Sequence, residues 1–166
     1  MKRAFSLVEL MMVVALLGIL AAMAFPQFQS YTTDAKATTA KANLRVLRSA
    51  IELYAARHKG VPPGYPFSNF DQQPLEIHMA RQLTLATNEN GMANTPGTVG
   101  FELGPYMREI PENPFNNSSR VLVILNASDL PENATGNYGW VYKPLTQTIK
   151  LDWPGTDSEG IDYYQY

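Results

Sequence analysis

Glu9 stands where an acid is costly. It interrupts an apolar run that opens at Phe5, and from Leu10 to Phe25 no other charge follows. A carboxylate at the centre of a membrane helix costs about 2.5–3.5 kcal/mol on insertion scales, and less near an end. Such an acid either snorkels to the interface or marks a functional site with a partner. A second set of oxygen ligands lies in Asp152-Trp153-Pro154-Gly155-Thr156-Asp157-Ser158-Glu159-Gly160-Ile161-Asp162. Oxygen ligands on a tight glycine-containing turn suit Ca²⁺. The spacing is not that of an EF-hand, and a solvated acidic turn is the competing reading. Elsewhere the chemistry is thin. Only His58 and His78 are present and cysteine is absent, which excludes disulfides and thiolate metal sites. There is no glycine-rich phosphate loop, nucleophile elbow or convergent His/acid set. The chain therefore reads as a non-enzyme without catalytic residues.

The element that must position Glu9 is the run itself. From Phe5 to Phe25 it makes a helix of roughly 31 Å, about the thickness of a bilayer's hydrocarbon core. Lys2 and Arg3 precede it and Lys36 is the nearest basic residue after it, which places the N-terminus in the cytoplasm. A cleaved secretory signal is the rival, with Ala21-Ala22-Met23-Ala24 as its cleavage site. Glu9 speaks against it, as does the helical pattern that continues past Phe25.

The order Lys2-Arg3-Ala4-Phe5-Ser6-Leu7-Val8-Glu9-Leu10 resembles the prepilin leader and cleavage site of type IV pilins and type II secretion pseudopilins. The resemblance implies a bacterial precursor cut between Ala4 and Phe5 by a prepilin peptidase, with Phe5 methylated and Glu9 as the family's assembly acid. Ala4 stands where that family usually has Gly. A processed Phe5 carries a positive amine, and Glu9 of one subunit can neutralise the amine of its neighbour. Opposite charges attract strongly in low dielectric, and leaving either unpaired is costly. Glu9 would thus set the register of a polymer. The implied organisation is a leader over 1–4, a transmembrane and filament-core helix over 5–25, and a periplasmic globular domain over 26–166. Such a chain passes once through the inner membrane, and its filament lies in the periplasm or at the cell surface.

Past the run, charge is uneven. Residues 26–57 hold Lys36, Lys41, Arg45, Arg48 and Arg57 against Asp34 and Glu52, whereas the remainder is acidic. That argues against a nucleic-acid partner, since phosphate binding needs clustered Lys and Arg. The spacing of Ala37, Ala40, Leu44, Leu47, Ile51 and Tyr54 predicts an amphipathic helix over 27–59, packed on a globular head. Pro26 should kink or locally melt the long helix, and Gly60 with Pro62-Pro63 should end it. His58, in the last turn, reads as a partner of the helix dipole. A short helix is expected with Pro74 near its first turn, Leu75, Met79 and Leu83 on one side and a structural His78 beside them. Residues 88–100 read as loop, and the prolines of Gly104–Phe115 forbid regular structure there. Three short runs, Val121–Leu125, Tyr138–Tyr142 and Gln147–Leu151, predict a small antiparallel sheet, with a turn over Lys143–Thr146. Asn116, Asn117, Asn126 and Asn133 fit Asn-x-Ser/Thr and read as turn residues.

This order also resembles the major pseudopilins of type II secretion, through Gly104–Phe115 and Gly139-Trp140-Val141-Tyr142. The implied fold is α+β: a long N-terminal helix on a three-stranded antiparallel sheet, with a long helix-to-sheet loop. The resemblance aligns Asp157 and Asp162 with a calcium site in the C-terminal loop. It implies a homopolymer that helps drive protein export. Its other partners would be an inner-membrane assembly platform, minor pseudopilins and, before assembly, membrane lipid. A type IV pilin of a surface pilus shares the same N-terminus. A membrane-anchored binding domain that never polymerises is the reading from a different class.

Overall fold

The computed structural model describes residues 6–166, and the side chains of that range apart from residues 23–30. The chain divides into two compact units, Met1–Ala35 and Lys36–Tyr166. The second is called the head below. Helix α1, Leu7–Arg57, is the one element common to both, and Pro26 does not interrupt it. It ends where expected. Lys59 and Gly60 adopt positive φ, and the Gly60 amide donates back to the Ala55 carbonyl at 2.9 Å. Such a left-handed turn satisfies carbonyls that the helix end would otherwise leave open.

In the head, the predicted stripe is the buried one. Ala37, Ala40, Leu44, Leu47, Ile51 and Tyr54 are all buried. They share a core with Met79 and Leu83 of helix α2, Glu76–Thr84, and with Val121, Trp140, Tyr142, Ile149 and Leu151. Leu75 is not part of this face. It precedes α2 in extended conformation and is 46% exposed, because the helix begins one residue later.

Two features depart from expectation. First, residues 88–100 are not wholly loop: β1 (Ala86–Thr87) pairs antiparallel with β2 (Ala93–Asn94). The Asn88 carboxamide oxygen accepts from the Asn90 and Met92 amides and closes that turn. Second, the three-stranded sheet is mixed rather than antiparallel. Strands β3 (Val121–Val123), β4 (Trp140–Lys143) and β5 (Thr148–Leu151) lie in the order β3-β4-β5. The β4–β5 pair is antiparallel, joined by a tight turn over Pro144–Thr146 with Gln147 in left-handed conformation. The β3–β4 pair is parallel. Residues 124–139 connect them, and a parallel pair needs a crossover of about a dozen residues or more.

Gly104–Phe115 lacks regular structure, as its prolines require, but it is anchored. The Tyr106 and Met107 amides donate to the Leu83 carbonyl, and the Trp140 indole N–H donates to the Pro111 carbonyl at 2.8 Å. The glycine before Trp140 has a steric reason. A Cβ on Gly139 would lie 2.0 Å from the Ser118 carbonyl oxygen.

Candidate assembly segment and acidic loop

Two regions hold the residues that sequence singles out. At the start of α1, Ser6 and Glu9 cap the helix reciprocally. The Ser6 amide donates to Glu9 Oε2 at 3.0 Å, and the Val8 amide donates to Ser6 Oγ at 3.3 Å. This is a capping box, which satisfies amides that have no partner inside the helix. The Ser6-x-x-Glu9 spacing is the sequence signature of that box. The box fixes where the Glu9 carboxylate sits: at the first turn, with the favourable end of the helix dipole. Ala4 and Phe5, the predicted cleavage and methylation residues, lie outside the described residues.

Behind Glu9, the described apolar side chains stand exposed. Between Leu7 and Leu20 the large apolar residues range from 73% exposed at Leu7 down to 48% at Val13. A continuous apolar surface of this kind marks a protein–protein or membrane contact. No helix among the described residues is long and apolar enough to cross a membrane. The described side chains of the run stop at Ala22, short of the roughly 20 apolar residues a span needs.

The acidic loop is folded on itself and onto α1. Thr156 and Asp162 form a bridge. Asp157 Oδ1 accepts from the Glu159 and Ile161 amides at 3.0 and 2.9 Å. Its Oδ2 accepts from the Tyr166 hydroxyl at 2.6 Å and from Lys41 Nζ at 3.2 Å. The tyrosine hydroxyl, above all, holds the Asp157 carboxyl down at about 2, with the two amides and Lys41 adding to it. Burial and the carboxylate push the Tyr166 hydroxyl up. Asp162 does a different job: its Oδ1 accepts from the Tyr164 amide at 2.8 Å and caps the turn Tyr163–Gln165. Asp157 and Asp162 thus close one loop but share no donor in it.

Asp152, from the same acidic stretch, is fully buried and serves another loop. It accepts from the Thr135 amide and hydroxyl at 2.6 and 2.7 Å, and from the Tyr138 amide at 2.9 Å. That ties down the β3–β4 crossover. His58 also departs from its expected role. The ring is fully buried, stacked on Tyr54 at 3.8 Å, with its nitrogens 2.9 and 3.1 Å from the Tyr54 and Asn88 carbonyls. It joins the end of α1 to the β1–β2 turn, and burial holds its pKa below the ordinary value. His78 is half-exposed on α2, beside an open groove that Phe67, Ile77 and Met92 also line.

Comparison with known proteins decides the family. Residues 1–25 match the prokaryotic N-terminal methylation motif. The chain is 30% identical over 114 residues to a fimbrial protein of Pseudomonas aeruginosa, covering 64% of this chain and 74% of that one. It is 30% identical over 118 residues to type II secretion system core protein G of Pseudomonas aeruginosa, covering 71% of each. This chain belongs to the type IV pilin-like family.

A type IV major pilin protein of Myxococcus xanthus is 50% identical over 49 residues, 30% of this pilin-like chain and 22% of that protein. No solved structure matches. The methylation motif spans Ala4, Phe5 and Glu9, and the longer matches extend well past it.

Proposed function

We propose that this pilin-like chain is a structural subunit of a type II secretion pseudopilus, and not an enzyme. A prepilin peptidase cuts between Ala4 and Phe5, and the new amine on Phe5 is methylated. Before assembly the apolar run holds the chain in the inner membrane, N-terminus in the cytoplasm and head in the periplasm. Assembly moves the run from lipid to the contact with neighbouring subunits, on an inner-membrane platform and with minor pseudopilins. Glu9 then meets the Phe5 amine of a neighbour. The observation that carries this reading is the uncovered apolar surface from Leu7 to Leu20, with Glu9 as the one charge among those residues. In low dielectric an unpaired carboxylate is strongly disfavoured, so pairing favours one register over its neighbours. The relation to core protein G supports the secretion role.

The test is N-terminal mass spectrometry of membrane-extracted protein, joined to export assays in a strain lacking the chain. The reading requires a mature N-terminus at methylated Phe5 and cargo retained in the periplasm. A start at Met1 or near Phe25 contradicts the processing. A surface pilus is the second reading, favoured by the match to a fimbrial protein. It predicts normal export and loss of surface filaments.

A further inference from the structure

The loop at Asp157 and Asp162 has the oxygen-rich composition of a divalent-cation site, and whether its residues fit a cation depends on the donors already around them. A carboxylate offers about four lone-pair sites. Asp157 has filled four: two with the Glu159 and Ile161 amides, two with Tyr166 and Lys41. The three N–H donors have no lone pair to turn toward a cation. Ca²⁺ takes six to eight oxygens at about 2.3–2.6 Å. Among the described residues, no group of three or more His, Asp or Glu is gathered where it could hold a metal ion. Asp162 spends one oxygen on capping the turn after it. A positive charge already stands against the loop. The Lys41 ammonium is 3.2 Å from Asp157 and 4.2 Å from the centre of the Tyr166 ring, within cation–π range.

We infer that in this chain the acidic loop is closed by the Lys41 ammonium reaching from α1, and not by a divalent cation. The Asp157 carboxylate is only 5% exposed, so its charge needs a counter-charge at hand. Lys41 supplies it directly, and Tyr166 touches both groups, its hydroxyl donating to Asp157 and its ring facing the ammonium. Arg48, two turns further along α1, completes the attachment by donating to the Ile149 and Tyr166 carbonyls at 3.2 and 2.5 Å. The attachment of loop to helix is then built from the chain's own side chains and is indifferent to calcium concentration. This holds whichever filament the chain builds.

The test follows thermal unfolding of the full-length chain in detergent, by near-ultraviolet circular dichroism, in millimolar CaCl₂ and in chelator. The wild type should melt at the same temperature in both. Lys41→Met keeps the apolar stem and removes the charge, and it should lower the midpoint by several degrees in both media. A rise with calcium in the wild type that Asp157→Asn abolishes would overturn the inference. So would a Lys41→Met chain as stable as the wild type. Terbium luminescence keeps the question open to a decision should Lys41→Met fail to fold, since Tyr166 lies where it would sensitise a bound lanthanide. The wild type should give no more signal than Asp157→Asn, and a Tyr166-dependent excess would contradict closure by lysine.

Discussion

Leu17 and Leu47 both lie on α1, thirty residues apart. The first is 59% exposed and the second is fully buried. Around Leu47 the apolar stripe is one helical face, and a sheet, α2 and the tyrosines of the acidic loop cover it. Around Leu17 apolar residues go all the way round, and among the described residues they stand exposed. A helix apolar on one face belongs against a core, whereas one apolar all round needs lipid or other chains. The acids follow the same division. Asp157 finds its donors inside the head. Glu9 finds only the Ser6 amide of its own first turn, which leaves its charge without a counter-ion among the described residues.

The comparison breaks most visibly on truncation. Leu47→Ala should destabilise the head by about 2–5 kcal/mol, as truncation of buried leucines does. Leu17→Ala should change head stability by no more than about 0.5 kcal/mol. Chemical denaturation of both variants in detergent checks this, and equal losses would erase the distinction between the regions. Glycines sharpen it from the other direction. Gly139→Ala drives a Cβ to 2.0 Å from the Ser118 carbonyl, and should cost about 1–3 kcal/mol or more. Gly18→Ala meets nothing within 4 Å, and should help its helix by roughly 0.5–1 kcal/mol.

Smaller effects lie in pH. The Asp157 pKa is lowered to about 2, so its contribution is present above the ordinary carboxylate value near 4 and is lost as pH falls through about 2. The Tyr166 pKa is raised, so its contribution is present below the ordinary value of about 10 and is lost as pH rises beyond it. For His58, whose pKa burial lowers, stability should decline as pH drops below about 6.5. Melting curves across pH should show all three limbs in the wild type. The extreme limbs should flatten in Asp157→Asn, and a profile unchanged by that substitution would detach the loop from the head's stability.

Where periodicity carried the information, the sequence was legible. The buried stripe from Ala37 to Tyr54, the ending at Gly60 and the approximate places of three strands all came from spacing and from glycine or proline. Strand direction did not, because side-chain alternation is the same in parallel and antiparallel pairs. The difference lay in how residues 124–139 return, and nothing local encodes that. The β1–β2 pair is not legible in the sequence, because two-residue strands have no period to detect. Asp152, Asp157 and Asp162 looked alike as neighbours in a row. The fold separates them into a buried bracket for Thr135 and Tyr138, a partner for Lys41 and a cap for Tyr164. Sequence cannot separate them, since Lys41 lies 116 residues from Asp157. At Glu9 the sequence said most: an acid in an apolar run implies a partner, and among the described residues it has only a backbone amide.

That partner is the point on which the account turns, and one substitution reaches it. Glu9→Ala removes the carboxylate, keeps the apolar run and leaves the head untouched. Electron microscopy of filaments, with N-terminal mass spectrometry of the same cells, separates assembly from processing. The Glu9→Ala chain should be inserted, cut before Phe5 and stable in its head, yet build few or no filaments. Filaments of normal number and length from Glu9→Ala subunits would contradict it.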